Sequence, residues 1–230
     1  MTYVMSDLHG MYDRFIAMLE KIDFSDSDEL FIIGDIIDRG ERPVDILKYV
    51  MDKPNITVLL GNHEVMARDF LRRLTAEITD GNTASFDNDF MVELAIYKHN
   101  GGIPINRLLA LPPDKQQSVL DFIDSLYAYE AIDIGDSTFV LVHAGLGNFR
   151  KDKKISEYAL YELLELRPDY ERQYFDDDSI YIVSGHTPTK LISGKWEIYH
   201  SHNNIVIDCG AAFGGRLACL RLEDMAEFYV

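Results

Sequence analysis

Three observations predict an α/β fold. Short apolar runs recur at 2–5, 30–33, 56–60, 138–142 and 180–183. Amphipathic stretches with helical spacing follow the first three runs. The run 30–33 ends at Gly34, and carboxylates and an arginine follow, the mark of a buried strand opening into a polar loop, where α/β enzymes commonly place chemistry.

In chain order, 2–5 reads as a strand and passes directly into Ser6-Asp7-Leu8-His9-Gly10. The stretch 11–22 reads as a helix, with Phe15, Met18, Leu19 and Ile22 on one face and Asp13, Arg14, Glu20 and Lys21 outside. A second strand, 30–33, opens into Gly34-Asp35-Ile36-Ile37-Asp38-Arg39-Gly40. A helix over 43–51 follows, with Pro43 suited to its first position. Strand 56–60 ends in Gly61-Asn62-His63-Glu64 and leads into a helix carrying Met66, Phe70, Leu71 and Leu74.

The region 79–113 is the hardest to read. Residues 80–83 have turn chemistry, 87–99 a helical pattern, and Asn100-Gly101-Gly102 a break. Asp114, with Gln117 three residues on, is expected to cap a helix reaching about 126. Strand 138–142 ends in His143-Ala144-Gly145, a helix is expected over 156–166, and strand 180–183 ends in Ser184-Gly185-His186-Thr187-Pro188. Further strands are expected at 196–199, 205–207 and 217–222. No repeat, low-complexity tract or linker interrupts the 230 residues, which suit one domain.

Composition narrows the function classes. With 47% hydrophobic and 27% charged residues, the chain can bury a sizeable core. Its net charge of −17 opposes general binding to nucleic acid and to anionic membranes. Cys209 and Cys219 read as buried thiols. No segment has the roughly 20 apolar residues that span a bilayer, and the N-terminus has no signal-peptide pattern. The expectation is a soluble cytoplasmic protein; the sequence carries no signal of oligomeric state.

Metal-competent side chains stand at five strand ends: Asp7 with His9, Asp35, Asn62 with His63, His143, and His186. If neighbouring strands run in similar directions, these ends meet at one edge of the sheet. Mixed oxygen and nitrogen donors suit Mn, Fe, Zn or Ni better than Ca or Mg. Two dications ~3.5–4 Å apart are a common device for phosphoryl chemistry. Their repulsion, on the order of 19 kcal/mol at an effective dielectric of ~20, calls for a bridging anion. Asp35, central in strand order, is the candidate bridge. Asp7 and His9, two apart in a segment expected to be extended, can point toward one ion, leaving Asn62, His143 and His186 for the other. His99, His200 and His202 lack a strand-end setting and are expected to be surface or structural residues.

The three motifs around Asp7, Asp35 and Asn62 resemble, in order and spacing, the signatures of PPP-type phosphoprotein phosphatases within the calcineurin-like metallophosphoesterases. His143-Ala144-Gly145 and Gly185-His186-Thr187-Pro188 are similar to that family's later metal histidines. Ile207-Asp208-Cys209-Gly210-Ala211-Ala212-Phe213 is similar to the closing strand of its small bacterial and phage members. The resemblance runs from 4 to about 222 and is weakest over 79–113. It implies one metallophosphoesterase domain over 1–230, a four-layer sandwich of two mixed β-sheets flanked by α-helices.

It also implies two divalent transition-metal ions, Mn first, with Fe, Zn and Ni as alternatives. Asp7, His9 and Asp35 would hold one ion, and Asp35, Asn62, His143 and His186 the other. His63 would be the general acid, oriented by Asp38. Arg39 would clamp phosphate oxygens, its planar fork suiting the task. A second arginine is implied between the later histidines; Arg167 matches best, with Arg150 and Arg172 as alternatives. Ser6 stands where the family usually has glycine. Pro188 stands where other metallophosphoesterases carry a further histidine, which favours the phosphatase branch.

The reaction expected is in-line attack of a metal-activated water on a phosphate monoester, with phosphoserine or phosphothreonine in a protein or peptide as substrate. The rival is hydrolysis of diadenosine tetraphosphate. Glu64, where those bacterial enzymes more often have aspartate, Asp38, where many lack an acid, and the acidic surface are all read against it. A third reading is a catalytically silent binding module, opposed by the intact ligand set.

Overall fold

The computed structural model describes residues 1–77 and 87–230. The turn expected at 80–83 lies outside them. Strands β1 (Thr2–Met5), β2 (Glu29–Ile33) and β3 (Ile56–Leu59) are parallel neighbours. Helices α1 (Tyr12–Lys21) and α2 (Pro43–Met51) make the crossovers that parallel pairing requires. Strands β9 (Ala218–Arg221) and β10 (Ala226–Tyr229) extend this sheet in antiparallel sense, giving the order β10-β9-β1-β2-β3.

A second sheet holds β4 (Tyr129–Ile134), β5 (Ser137–Val142), β6 (Ile180–Ser184), β7 (Tyr199–Ser201) and β8 (Asn204–Val206). Its order is β4-β5-β6-β8-β7, with β5, β6 and β8 parallel. The five strand ends therefore belong to two sheets, and they meet at one edge of a sandwich instead of the edge of a single sheet.

Period-two alternation divides the core. Val4, Phe31, Ile33 and Leu59 face Phe139, Leu141 and Val183 between the sheets. Tyr3, Met5, Leu30, Ile32 and Val58 turn outward under Phe15, Met18 and Leu47 of the helices. With both faces covered, these strands carry continuous apolar runs and no polar alternation. The result is an α/β metallophosphoesterase fold of two mixed sheets flanked by helices.

Local departures have local causes. After the short helix α5 (Ile105–Leu109), the helix expected to begin at Asp114 is α6 (Pro113–Asp124); Pro112 holds the cap position, and Asp114 lies in the first turn without capping. The helix expected over 156–166 is cut at Tyr158 and Ala159, whose extended backbone separates a 3-10 turn (Ile155–Glu157) from α7 (Leu160–Leu164). The strand expected at 196–199 is β7, later by a few residues, because its hairpin with β8 pairs Tyr199 with Val206. The edge strands β4 and β10 carry weak patterns and were not expected from the sequence. Among the described residues, no helix is long and apolar enough to cross a membrane.

Candidate metal centre

The C-terminal ends of β1, β2, β3, β5 and β6 bring Asp7, His9, Asp35, Asn62, His143 and His186 together. The backbone turns sharply to do so. Asp7, His9, Asp35, Asp38, Arg39 and His186 all have φ between 43° and 67°. Left-handed geometry costs a non-glycine residue on the order of 1–3 kcal/mol and persists where surroundings enforce it. Asp7 and His9 thus do not lie in an extended segment. Their N–H groups donate to the carbonyls of Gly34 (3.1 Å) and Asp35 (2.8 Å), which lock the two loops together.

Helix α3 (Asn62–Thr75) starts at the centre, and its Glu64 organises the Asp35 loop. The buried Glu64 carboxylate accepts N–H bonds from Asp35 (2.7 Å), Ile36 (2.9 Å) and Gly61 (3.0 Å). Gly61 is required by close approach: a Cβ there would lie 2.3 Å from Asp35 Oδ1. Glu64 therefore addresses backbone and does not face a substrate, so the substrate class read from it does not follow.

The two oxygens of Asp35 face opposite ways. Oδ2 lies 3.5 Å from His9 Nε2 and 4.0 Å from His63 Nε2, while Oδ1 lies 3.4 Å from His143 Nε2. Two donor triads result, His9–Asp35–His63 and Asp35–His143–His186, sharing Asp35. Asp7 Oδ1 stands 3.8 Å from His9 Nε2, and its other oxygen accepts the His186 N–H at 3.0 Å.

Three imidazoles are oriented from behind by backbone carbonyls. His9 Nδ1–H donates to Ile37 O (3.0 Å), His143 Nδ1–H to Ile33 O (2.9 Å), and His186 Nε2–H to Glu165 O (3.1 Å). Each opposite nitrogen turns toward the centre. Arg39 Nη1, 3.1 Å from His9 Nδ1, is a charged neighbour of that ring.

The donor set fits divalent cations. His9 Nε2 is buried without a hydrogen-bond partner. Burial holds the His9 pKa well below its ordinary value, so the ring is neutral with a free lone pair. Burial, reinforced by His143, lowers His186 to about 4, and its bare Nδ1 faces Asn62 Oδ1 at 3.1 Å. The same oxygen lies 3.0 Å from His143 Nε2, so Asn62 stands between the two ring nitrogens. His143 differs: burial opposes its charge, but Asp35 outweighs burial and raises it to about 10. Asp35 is itself held well below the carboxylate range, because His143 and His63 outweigh its burial.

His63 Nδ1–H donates to Asp38 Oδ2 at 2.7 Å, and Tyr97 Oη–H donates to Asp38 Oδ1 at 2.7 Å. Burial works against the charged ring, yet Asp35 and Asp38 raise the His63 pKa. Tyr97 ends α4 (Asn88–Tyr97), inside the region hardest to read, and no motif marks it. Asp208 is a further site residue beyond the expected set, although the apolar run 205–207 before it repeats the strand-end pattern. It is buried, and burial together with Asp7 holds its carboxyl well above the ordinary range.

A cavity of about 340 Å³ opens from Asp35, Asn62, His63 and His186, with Arg39 and Arg167 on its wall. Arg150 instead neighbours Asp152, and Arg172 stacks over Phe149. His99 is exposed, as expected, but lines a second cavity of about 720 Å³ that shares Arg39, Asn62, His63 and Phe213 with the first. His200 bonds Glu227 at 2.7 Å, away from both.

Buried carboxylates and imidazoles converging on one shared aspartate, at the edge of a two-sheet sandwich, define a metal-dependent hydrolase class. The calcineurin-like phosphoesterase family model matches residues 2–217, and the chain belongs to that family. The family implies divalent metal ions and phosphoesterase activity. The chain is 27% identical to a bis(5'-nucleosyl)-tetraphosphatase PrpE [asymmetrical] of Geobacillus thermodenitrificans, covering 99% of this chain and 92% of that protein. In structure it is similar to a protein proposed to be a diadenosine tetraphosphatase (TM-score 0.66, 14% identity, covering 100% and 92% of the two chains). It is also similar to a serine/threonine phosphatase from Saccharomyces cerevisiae (TM-score 0.59, 13% identity, covering 95% and 71%). At those identities the two structures show the shared fold alone.

Proposed function

We propose that this phosphoesterase hydrolyses dinucleoside polyphosphates, with diadenosine tetraphosphate as the substrate to try first. The observation carrying the reading is the whole-length match to a bis(5'-nucleosyl)-tetraphosphatase, which spans nearly all of both chains. It reverses the order expected from the sequence, where phosphoprotein hydrolysis stood first. Two cavities leaving one centre, and sharing Arg39, Asn62, His63 and Phe213, support an elongated substrate with groups on both sides of the scissile phosphate.

In this reading Asp7, His9 and Asp35 would hold one divalent ion, and Asp35, Asn62, His143 and His186 the other, with Mn, Fe, Zn or Ni suited to the donors. When bound, two such ions supply Lewis-acid stabilisation of the phosphoryl group and lower the pKa of water. Arg39 and Arg167 orient phosphate oxygens. His63, whose charged form Asp35 and Asp38 favour against burial, delivers its Nε2 proton to the departing oxygen. Its Nδ1–H is held by the Asp38 carboxylate, whereas His9, His143 and His186 are backed by backbone carbonyls, and this sets it apart as the acid.

Phosphoprotein hydrolysis is the second reading. It is favoured by Asp38, the acid tied to the phosphoprotein branch, which is present and bonded to His63. The deciding experiment sets diadenosine tetraphosphate beside phosphoserine peptides with Mn added. Efficient cleavage of the dinucleotide, with slower cleavage of the peptides, is the expected result. The opposite order of kcat/KM would transfer the assignment to phosphoproteins.

A further inference from the structure

The cavity beside the centre has a far wall that metal chemistry does not need. Trp196, the single tryptophan of the chain, stands there beyond α8 (Thr189–Ser193), half-buried and outside both core clusters. Its indole lies on bare backbone. A Cβ at Gly210 would come 2.2 Å from Cζ3, and one at Gly215 2.8 Å from Cδ2. The two glycines thus let the ring lie flat against the loop that follows Asp208, fixed from behind.

Phe213 shares the cavity and is 53% exposed, and Leu191 on its rim is 70% exposed. Such exposure of large apolar groups beside a polar centre marks a ligand-binding groove more often than a packing fault. Cations gather at the same wall. Arg39 stacks over Phe213 at 4.9 Å, Lys190 over Trp196 at 5.0 Å, and Arg167 stands at the metal end. In a chain with 22 basic against 39 acidic residues, three cations on one cavity select an anion that ends in a flat apolar group. A phosphoserine side chain has no such group; a nucleotide has.

The geometry points to Trp196 and Phe213 as the subsite that receives a nucleobase of the substrate, with Lys190 and Arg167 along the phosphates that join it to the centre. This rests on the dinucleoside polyphosphate reading and names which residues grip the base. Lys190 is exposed and long enough to leave the indole face for a phosphate when a base arrives.

The test uses the full chain, whose tryptophan emission comes from Trp196 alone. Titration with AMP is expected to quench that emission saturably, and ribose 5-phosphate, which lacks only the base, to bind at least about 5-fold more weakly. Equal affinities for the two would overturn the subsite without any variant being made. In kinetics, Trp196→Ala is expected to lower the ratio of kcat/KM on diadenosine tetraphosphate to that on p-nitrophenyl phosphate by about 5- to 150-fold, the usual loss on removing a base-stacking ring. Trp196→Phe should recover most of that ratio, and an unchanged ratio in Trp196→Ala would sink the assignment. Failure of the underlying reading looks different: the wild-type chain would leave diadenosine tetraphosphate intact while cleaving phosphopeptides.

Discussion

The Tyr97 hydroxyl donates to Asp38 Oδ1 at 2.7 Å, on the oxygen opposite the one that receives His63 Nδ1–H. Asp38 is buried, so these two bonds carry most of the compensation for its burial. Tyr97→Phe should therefore loosen the aspartate and the imidazole it holds. We expect roughly a tenfold loss of kcat on substrates with poor leaving groups, and a smaller loss on aryl phosphates that need no acid. Equal losses on both would indicate general loosening of α4.

His63→Asn removes the proposed acid while leaving the six proposed ligand positions in place. Turnover should fall by roughly 10²–10⁴ with two metal equivalents retained by elemental analysis. Unchanged turnover on a poor leaving group would remove His63 from the reaction.

Metal loading should compete with a proton. His143, raised to about 10, is an imidazolium at neutral pH, whereas a ligand nitrogen must be bare. Its raised value stabilises metal-free protein fully below its ordinary pKa of 6.5, and that contribution is lost as pH rises toward about 10. Metal affinity moves oppositely, rising with pH over the same window. Calorimetry of Mn binding at pH 8 in buffers of different ionisation enthalpy should show about one proton released. No buffer dependence would mean that His143 is already neutral.

Glu64→Ala strips acceptors from the buried N–H groups of Asp35, Ile36 and Gly61. Each orphaned donor costs about 1–3 kcal/mol, so thermal unfolding should shift down by many degrees and metal affinity should weaken with it. Glu64→Gln, which keeps an acceptor oxygen, should recover part of both; a variant as stable as wild type would show that water replaces the carboxylate.

Arg39→Ala should cost ~1.5–3 kcal/mol in kcat/KM, the worth of a hydrogen bond to a charged group. Arg167, exposed on the cavity wall, should cost less on the same measurement, because solvent already screens its charge. If neither substitution moves kcat/KM, phosphate is held elsewhere.

How much was legible depended on the range of the force involved. Strands such as Leu30 to Ile33 announce themselves because burial on both faces demands an unbroken apolar run, and Gly34 and Gly61 mark where each run must turn. Edge strands β4 and β10 are silent because none of their residues is fully buried, so no unbroken apolar run is demanded. The break at Tyr158 was hidden too, as nothing in its own chemistry forbids a helix.

By itself the sequence determined which donors stand at strand ends, since strand length and turn chemistry act over only a few residues. Only the tertiary structure decided that the ends come from two sheets, and that Asp35 turns one oxygen to each side. It also decided that Tyr97 backs Asp38, and that Trp196 lies on Gly210. Contacts such as His186 Nδ1 with Asn62 Oδ1 join residues 124 positions apart. No local pattern encodes such a distance, because it is set by how two sheets pack and not by the residues on either side of each donor.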